Sequence, residues 1–397
     1  MELLRALEPE KYWSFPVSYD KQKRENEIRN MILDGKHYYQ LKTDGNYSAF
    51  ICDFDGEKHI ISRGKSTVTN EYCLLEDRLF FFESVAKAFD KPTRLMGEIY
   101  YDHGIDRQVG SVLRALPHKS KSIQDKNYYL KAQEKIKFTA KDRRDIENNE
   151  FFGEKLKWRV FDCWYYNGED LMSTPWIERQ KYVKMAVEKI NDPLVSYVPY
   201  FLMDENFYDS LAKIFSDGGE GVVCYSENGL PEPGKRTAHK TLKVKRELEH
   251  LLDVVFMGLD TCKKNYDGKE LGTWPYWENT RTGEKVQGNF FGEFQSGGSY
   301  IPITRNYFYG WPGAVFCGVY NKTGELVPLC KVSNLTDELK TSLRDNFSSE
   351  WMLCPATIGG MALSDASGEI SVRHPYLKAI RKGDIDPKDC TLEKILN

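Results

Sequence analysis

Tyr38-Tyr39-Gln40-Leu41-Lys42-Thr43-Asp44-Gly45 is the stretch on which the reading of this chain turns. Tyr38–Leu41 has the composition of a short β-strand, and Asp44-Gly45 supplies the carboxylate and glycine of a turn. Lys42 therefore stands at a strand end, where a side chain is presented to a pocket or to solvent. An amine there becomes a nucleophile only if burial or cationic neighbours pull down its pKa. Alone, the tetrapeptide Lys42–Gly45 reads as an ordinary β-turn, so it becomes informative only through what accompanies it.

Upstream, Lys21–Leu33 mixes charged and apolar positions as a helical lead-in. Downstream come strand-type runs at Tyr47–Asp53 and His59–Ser62, joined by the hairpin signal Asp55-Gly56. Cys73–Phe89 reads as a helix, Arg94–Tyr101 as a strand carrying Gly97-Glu98, and Lys157–Tyr165 as a strand ended by Asn167-Gly168. Trp176–Ile190 and Glu205–Ser216 read as helices and Gly221–Tyr225 as a strand. Antiparallel-looking strands with separate helices point to an α+β fold. Near Glu247–His250 the pattern changes to short strands (Asp253–Gly258, Ala314–Tyr320, Leu326–Val332, Glu369–Arg373) with one helix at Thr336–Arg344. That set fits a small closed barrel of the OB type.

A chain of 397 residues is too long for one compact core, so two domains are expected, 1–246 and 247–397. Hydrophobic residues are 41% and charged residues 29%, which excludes a disordered chain. The longest apolar run, Leu251 to Leu259, is far short of the roughly 20 residues that span a bilayer. No secretory leader is evident at the N-terminus, so a cytoplasmic location is expected, the host cytoplasm if the source is viral. Nine scattered cysteines with no C-x-x-C pair argue against a zinc ribbon and a disulfide framework. Net charge is −3, yet His118–Lys157 carries eleven Lys and Arg against seven Asp and Glu. That tract reads either as a solvated charged helix or as a basic face in a charged insertion near 118–157.

Further chemistry-bearing residues follow Lys42 in order: Ser62-Arg63-Gly64, Gly97-Glu98, Phe161-Asp162, Glu178-Arg179, Glu220-Gly221 and Leu242-Lys243-Val244-Lys245. The alternation in the last puts both lysines on one face of a strand. Attack on an ATP α-phosphate requires charge neutralisation at that phosphate and on the departing pyrophosphate, which lysines and metal ions provide. Two separated carboxylates, Glu98 and Glu220, suit a hard cation such as Mg²⁺. Lys243 and Lys245 suit a triphosphate and would depress the pKa of a nucleophilic lysine beside them. An aromatic such as Phe161 can stack on a base.

Taken together, these motifs resemble the covalent nucleotidyltransferase superfamily, and in particular ATP-dependent DNA ligases of the short two-domain, bacteriophage-like type. The resemblance covers Tyr38 to the C-terminus and implies a nucleotidyltransferase (adenylation) domain of ATP-grasp-like antiparallel sheets with helices, followed by a C-terminal OB-fold β-barrel domain. It makes Lys42 the residue that becomes adenylylated, with Asp44 assisting the later sealing step and Lys243 and Lys245 contacting the α-phosphate. Arg63 matches an arginine that holds the nucleotide and later the nick phosphate. Gln40, Leu41, Glu98, Phe161, Arg179, Arg236 and Arg381 are placed at the nucleotide, and Glu98 and Glu220 at Mg²⁺. Ser371–Asp384, with Arg373 and Arg381, looks like the last ligase motif, and Asp106–Leu113 also looks phage-ligase-like. In one position the chain departs from the pattern Lys-x-Asp-Gly-x-Arg: Tyr47 stands where the arginine is usual, and Arg63 or Arg236 would have to replace that contact.

The implied activity is sealing of nicked double-stranded DNA by a monomer, with ATP as adenylyl donor, in DNA repair, replication or recombination. Rival readings are an RNA ligase, favoured by Tyr47, an mRNA capping guanylyltransferase, where Lys-Thr-Asp-Gly is also common, and an inactive nucleic-acid-binding module.

Overall fold

The computed structural model describes residues 11–14, 21–65, 71–104, 106–234, 236–245, 251–268, 271–288, 298–365 and 370–391. Backbone contacts divide the chain into two compact units, Met1–Lys245 and Arg246–Asn397. The expected change of pattern at Glu247–His250 lies outside the described residues.

The first unit opens with β1 (Lys11–Ser14), α1 (Lys21–Leu33), β2 (His37–Leu41), β3 (Asn46–Cys52), β4 (Lys58–Lys65) and β5 (Tyr72–Leu74). It continues with α2 (Phe82–Ala88), β6 (Thr93–Tyr100), α3 (Asp106–Arg114), α4 (Pro117–Gln124), α5 (Lys126–Gln133) and α6 (Ala140–Glu147). Then follow β7 (Lys157–Tyr166), β8 (Glu169–Asp170), α7 (Trp176–Ile190), β9 (Val195–Tyr197), β10 (Tyr200–Leu202), α8 (Phe207–Ser216), β11 (Gly221–Ser226) and β12 (Arg236–Lys245). The stretch Cys73–Phe89, read from sequence as one helix, is a strand end, a single 3₁₀ turn at Glu76–Arg78 and the short α2. Its apolar residues serve two elements, so the run of helix formers spans a turn.

These strands build two sheets. The first has the order β1-β12-β11-β2-β10, the second β5-β4-β3-β6-β7-β8 with β9 parallel to β7. Side chains alternate between the faces of a strand, and the second sheet uses both. Phe50, Leu95, Ile99, Trp158 and Val160 face a core built with α2 to α7. Ala49, Ile51, Met96 and Trp164 lie in a smaller apolar cluster on the other side. The intervening positions Glu98, Arg159 and Phe161 stay partly exposed. The basic tract noted in the sequence forms α4, α5 and α6, where Lys119 is bonded to Asp142 (3.1 Å) and Asp145 (2.8 Å).

The second unit contains β13 (Leu252–Asp260), β14 (Tyr276–Asn279), β15 (Lys285–Gln287), β16 (Tyr300–Pro302), α9 (Arg305–Tyr309), β17 (Ala314–Tyr320), β18 (Leu326–Val332), α10 (Asp337–Asn346), β19 (Pro355–Asp365) and β20 (Ile370–Ile380). Its main sheet is antiparallel with the order β18-β17-β13-β19-β20, and β15-β14-β16 form a separate three-stranded sheet. Val254, Phe256, Val315, Cys317, Val332, Leu343 and Ile358 form its core. The molecule is thus a mixed α/β protein built on sheets. Among the described residues no helix is long and apolar enough to cross a membrane.

Candidate nucleotide-transfer site

Lys42 sits in the four-residue link that carries the chain from β2, in the first sheet, to β3, in the second. Its backbone N–H donates to the Gly221 carbonyl at 2.9 Å, which continues the β2–β11 ladder by one residue and fixes where the side chain leaves the backbone. Two glycines make the crossing possible. A Cβ on Gly45 would collide with the Ile99 carbonyl oxygen, and Gly221 adopts φ +137°, with the Val244 carbonyl where a Cβ would stand.

From this link Lys42 projects into a cleft of about 730 Å³, open to solvent and lined in part by Gln40, Leu41, Thr43, Arg63, Glu98, Phe161 and Lys243. The Lys42 ammonium is ion-paired with Glu220, whose other oxygen accepts from Lys245 at 3.0 Å. Burial opposes ionisation of Glu220, but Lys42 and Lys245 prevail and hold its carboxyl below the usual range. The opposite balance holds at Glu98. Burial, helped by the Glu220 carboxylate, pushes it up to about 7 against the pull of Lys42, Lys243 and Arg63. Lys243 is lowered to about 8 by burial and by the repulsion of Lys42, Lys245 and Arg63. Four cations and two carboxylates from strands far apart in sequence thus share one electrostatic unit.

The other half of the cleft is apolar and aromatic. Phe161, Trp164, Met96, Val198, Val223 and Tyr225 line it, and Tyr225 stacks on Trp176 with ring centroids 4.5 Å apart. Gln40 is 1% exposed, and its amide orientation is fixed by a relay. Its Nε2 donates to the Val198 carbonyl (3.1 Å) and to Gln180 Oε1 (3.1 Å), while Gln180 Nε2 donates to the Phe161 carbonyl (3.1 Å). Since carbonyls only accept, both amides can point one way only. Gln40 Oε1 is left as a buried acceptor with no hydrogen-bond partner among the described residues. Such an atom is costly unless a ligand donor meets it.

The structure therefore brings together Gln40, Leu41, Lys42, Arg63, Glu98, Phe161, Glu220, Lys243 and Lys245, with Asp44 in the same link. Arg179 is a correction. It is 2% exposed and directs its guanidinium inward, to both Asp162 oxygens (2.8 and 2.8 Å) and to the carbonyls of Thr174 (2.7 Å) and Gly229 (3.0 Å). It braces the strand that carries Phe161 and does not line the cleft. Arg236 lies on β12, but its side chain is outside the described residues, as is that of Arg373. Arg381 belongs to the second unit, where it bonds Asp384 and the Thr357 hydroxyl, each at 3.3 Å. Tyr47 also lines the cleft; burial raises its hydroxyl to about 12, against the pull of Arg94 and Arg63. Gln180, Trp164 and Tyr225 had no sequence signal: a buried glutamine and two aromatics match no chemical pattern.

The chain is similar to known proteins. Residues 21–245 match the family model described as ATP dependent DNA ligase domain. The chain is 24% identical over 192 residues to the DNA ligase of Vaccinia virus (strain Western Reserve), covering 42% of this chain and 34% of that protein. It is 31% identical over 116 residues to the DNA ligase of Fowlpox virus (28% of this chain, 20% of that one) and 30% over 105 residues to that of Thermococcus fumicolans (26% and 18%). In these alignments the chain spans about a third or less of each relative's length. A solved structure titled Pmar-Lig_PreS3 shares the fold with TM-score 0.52 and 14% identity, over 93% of this chain and 67% of that one. With the match extending over more than half its length, this chain belongs to the ATP-dependent DNA ligase domain family.

Proposed function

We propose that the chain is an ATP-dependent DNA ligase that seals nicks in duplex DNA through a Lys42–AMP intermediate. The observation that carries this reading is the placement of Lys42 at the junction of two sheets, where Glu220, Lys245, Lys243, Arg63 and Glu98 converge beside an aromatic slot. In the first step Lys42 Nζ attacks the ATP α-phosphorus; the N–P bond forms, the bond to pyrophosphate breaks, and the amine proton is lost. Lys243, Lys245 and Arg63 stabilise the charge that develops on the phosphates. In the second step a 5′-phosphate oxygen attacks the same phosphorus and the electron pair of the N–P bond returns to Lys42, which regains a proton. The 3′-hydroxyl then displaces AMP, with Asp44 placed to assist.

Phe161 is positioned to stack on the base, and Gln40 Oε1 to accept from the exocyclic amine of adenine. Guanine offers a carbonyl at that position, so two acceptors would face each other; this favours ATP over GTP and weighs against the capping reading. Glu98 and Glu220 suit Mg²⁺: a carboxyl held at about 7 by burial and a neighbouring carboxylate gains from a divalent cation. Among the described residues no cluster of three or more metal-binding side chains occurs, so phosphate oxygens and water would complete the shell. The metal would supply charge neutralisation at the phosphates.

Residues 1–246 are the proposed adenylation domain and 247–397 an OB-fold domain. The order β18-β17-β13-β19-β20, with α10 between β18 and β19 in the chain, fits an OB-type Greek-key barrel. Arg381 and Arg373 are proposed to serve adenylylation from that domain. The deciding assay is incubation with labelled ATP or GTP and Mg²⁺, then with a nicked duplex. ATP should label the wild type and not Lys42→Ala, and the label should pass to 5′-phosphorylated nicks. Efficient labelling by GTP, or label retained without Lys42, overturns the reading.

A further inference from the structure

The register across the second sheet aligns Tyr47 on β3, Glu98 on β6 and Arg159 on β7 in one row, so the three side chains share the face that carries the cleft. Tyr100, two residues after Glu98, lies on that face as well. The Arg159 guanidinium packs over the Tyr100 ring, 4.2 Å from its centroid. It donates from Nη2 to the Tyr100 hydroxyl (3.0 Å) and from Nη1 to the hydroxyl of Thr43 (3.4 Å), the residue next to Lys42.

Both partners are neutral. Arg159 thus differs from Arg179, whose charge is met by a carboxylate inside the protein, and from Lys157 on the same strand, which is paired with Asp102. Two of five guanidinium N–H donors are used, which leaves three with no acceptor among the described residues. Tyrosine stacking and two neutral hydrogen bonds hold the group in place without neutralising it. That is the arrangement of a preformed anion site with fork geometry suited to phosphate. Arg159 does not line the ATP cleft itself; Thr43 stands between them.

Building on the ligase reading above, we propose that Arg159 binds the 5′-phosphate of the acceptor strand and presents it to the Lys42–AMP phosphorus. Aimed by Thr43 and Tyr100, it acts on AMP transfer and not on charging with ATP.

The test compares the two steps in the full chain with Arg159→Gln, Arg159→Lys and Thr43→Val. Charging of Arg159→Gln with labelled ATP should stay within about twofold of wild type. Single-turnover transfer of AMP from the charged enzyme to a nicked duplex should slow by about 10- to 100-fold, the usual weight of a charged hydrogen bond. Arg159→Lys should recover part of the loss. Wild type should bind a 5′-phosphorylated nick more tightly than a 5′-hydroxyl nick, and Arg159→Gln should lose most of that preference. A brace for the Lys42 link would instead slow charging and transfer alike and leave the preference intact, and either result overturns the proposal. If Arg159→Gln does not fold, Thr43→Val carries the test: loss of the aiming hydroxyl should lower the preference for 5′-phosphate, and an undiminished preference overturns the proposal. A wild type that charges with ATP but transfers nothing to nicked DNA overturns the ligase reading and the role of Arg159 together.

Discussion

Replacing Arg179 by methionine separates a brace from a nucleotide contact. The side chain is 2% exposed and donates four hydrogen bonds, two of them to the equally buried Asp162. Methionine fills much of the volume but leaves the carboxylate without its countercharge. Breaking one side of a buried pair typically costs 3–5 kcal/mol. Asp162 keeps two donors, the Cys163 N–H at 2.8 Å and the Trp164 indole at 3.2 Å, which places the cost near the lower end. About 3 kcal/mol, at about 2–4 °C per kcal/mol for a unit of this size, lowers the melting temperature by about 6–12 °C. Adding Asp162→Asn removes the stranded charge and should recover part of that loss. The measurements are thermal and urea unfolding by circular dichroism, with the KM for ATP in the labelling assay. Because the pair holds the strand bearing Phe161, a modest rise in KM should accompany the loss of stability. An Arg179→Met protein that melts within about 2 °C of wild type yet no longer binds ATP would refute the brace and restore the arginine as a direct nucleotide contact.

Three further outcomes follow from the same geometry. The pH profile of kcat/KM for self-adenylylation should be bell-shaped. It should rise as Glu98 loses its proton near pH 7 and fall as Lys243 loses its own near pH 8; Lys243→Arg should move the alkaline limb upward, and a flat profile from 6.5 to 9 contradicts the assignment. Glu220→Gln removes the charge between Lys42 and Lys245 and should slow Mg²⁺-dependent labelling by roughly 10- to 100-fold; unchanged labelling at limiting Mg²⁺ makes Glu220 structural. Gly221→Ala places a Cβ against the Val244 carbonyl at a φ that only glycine adopts easily, so it should cost about 1–3 kcal/mol and lower labelling by displacing Lys42; full activity at normal stability would remove the link from the argument.

Legibility in the sequence followed chemistry more than position. Lys42, Glu98, Glu220, Lys243 and Lys245 were readable only as an ordered set: each alone reads as a turn, a paired glutamate or a lysine-rich strand, and only together do they resemble a nucleotidyltransferase site. Trp176–Ile190 was readable as an element because its periodicity agrees with its burial, and Ala314–Tyr320 and Leu326–Val332 because each is a short, largely apolar run bounded by turn residues. Arg179 was not. An arginine in the first turn of a helix reads the same whether it faces solvent, a ligand or a buried carboxylate, and only the approach of α7 to Asp162 decides. Gln40 was readable only by resemblance, since its acceptor is isolated by Gln180 and Val198, more than a hundred residues away. The sheet β15-β14-β16 escaped for a local reason: strands of three or four residues give too little alternation to detect.

The placement of Lys42 also explains why neither sheet alone could make the site. β11 and β12 of the first sheet supply Val223, Tyr225, Lys243 and Lys245, and Glu220 directly precedes β11, while β4, β6 and β7 of the second supply Arg63, Glu98 and Phe161. Coulomb energies fall with distance and are screened by water, so these charges perturb one another only while the sheets hold their groups close. The raised Glu98 and the lowered Lys243 are signs of that closeness, since charged groups carried by both sheets act on each of them. The link that joins the sheets is the link that carries the proposed nucleophile. A movement of one sheet against the other would therefore move Lys42 relative to half of its cations. The two-sheet crossing, made possible by Gly45 and Gly221, is thus part of the proposed chemistry and not only of the fold.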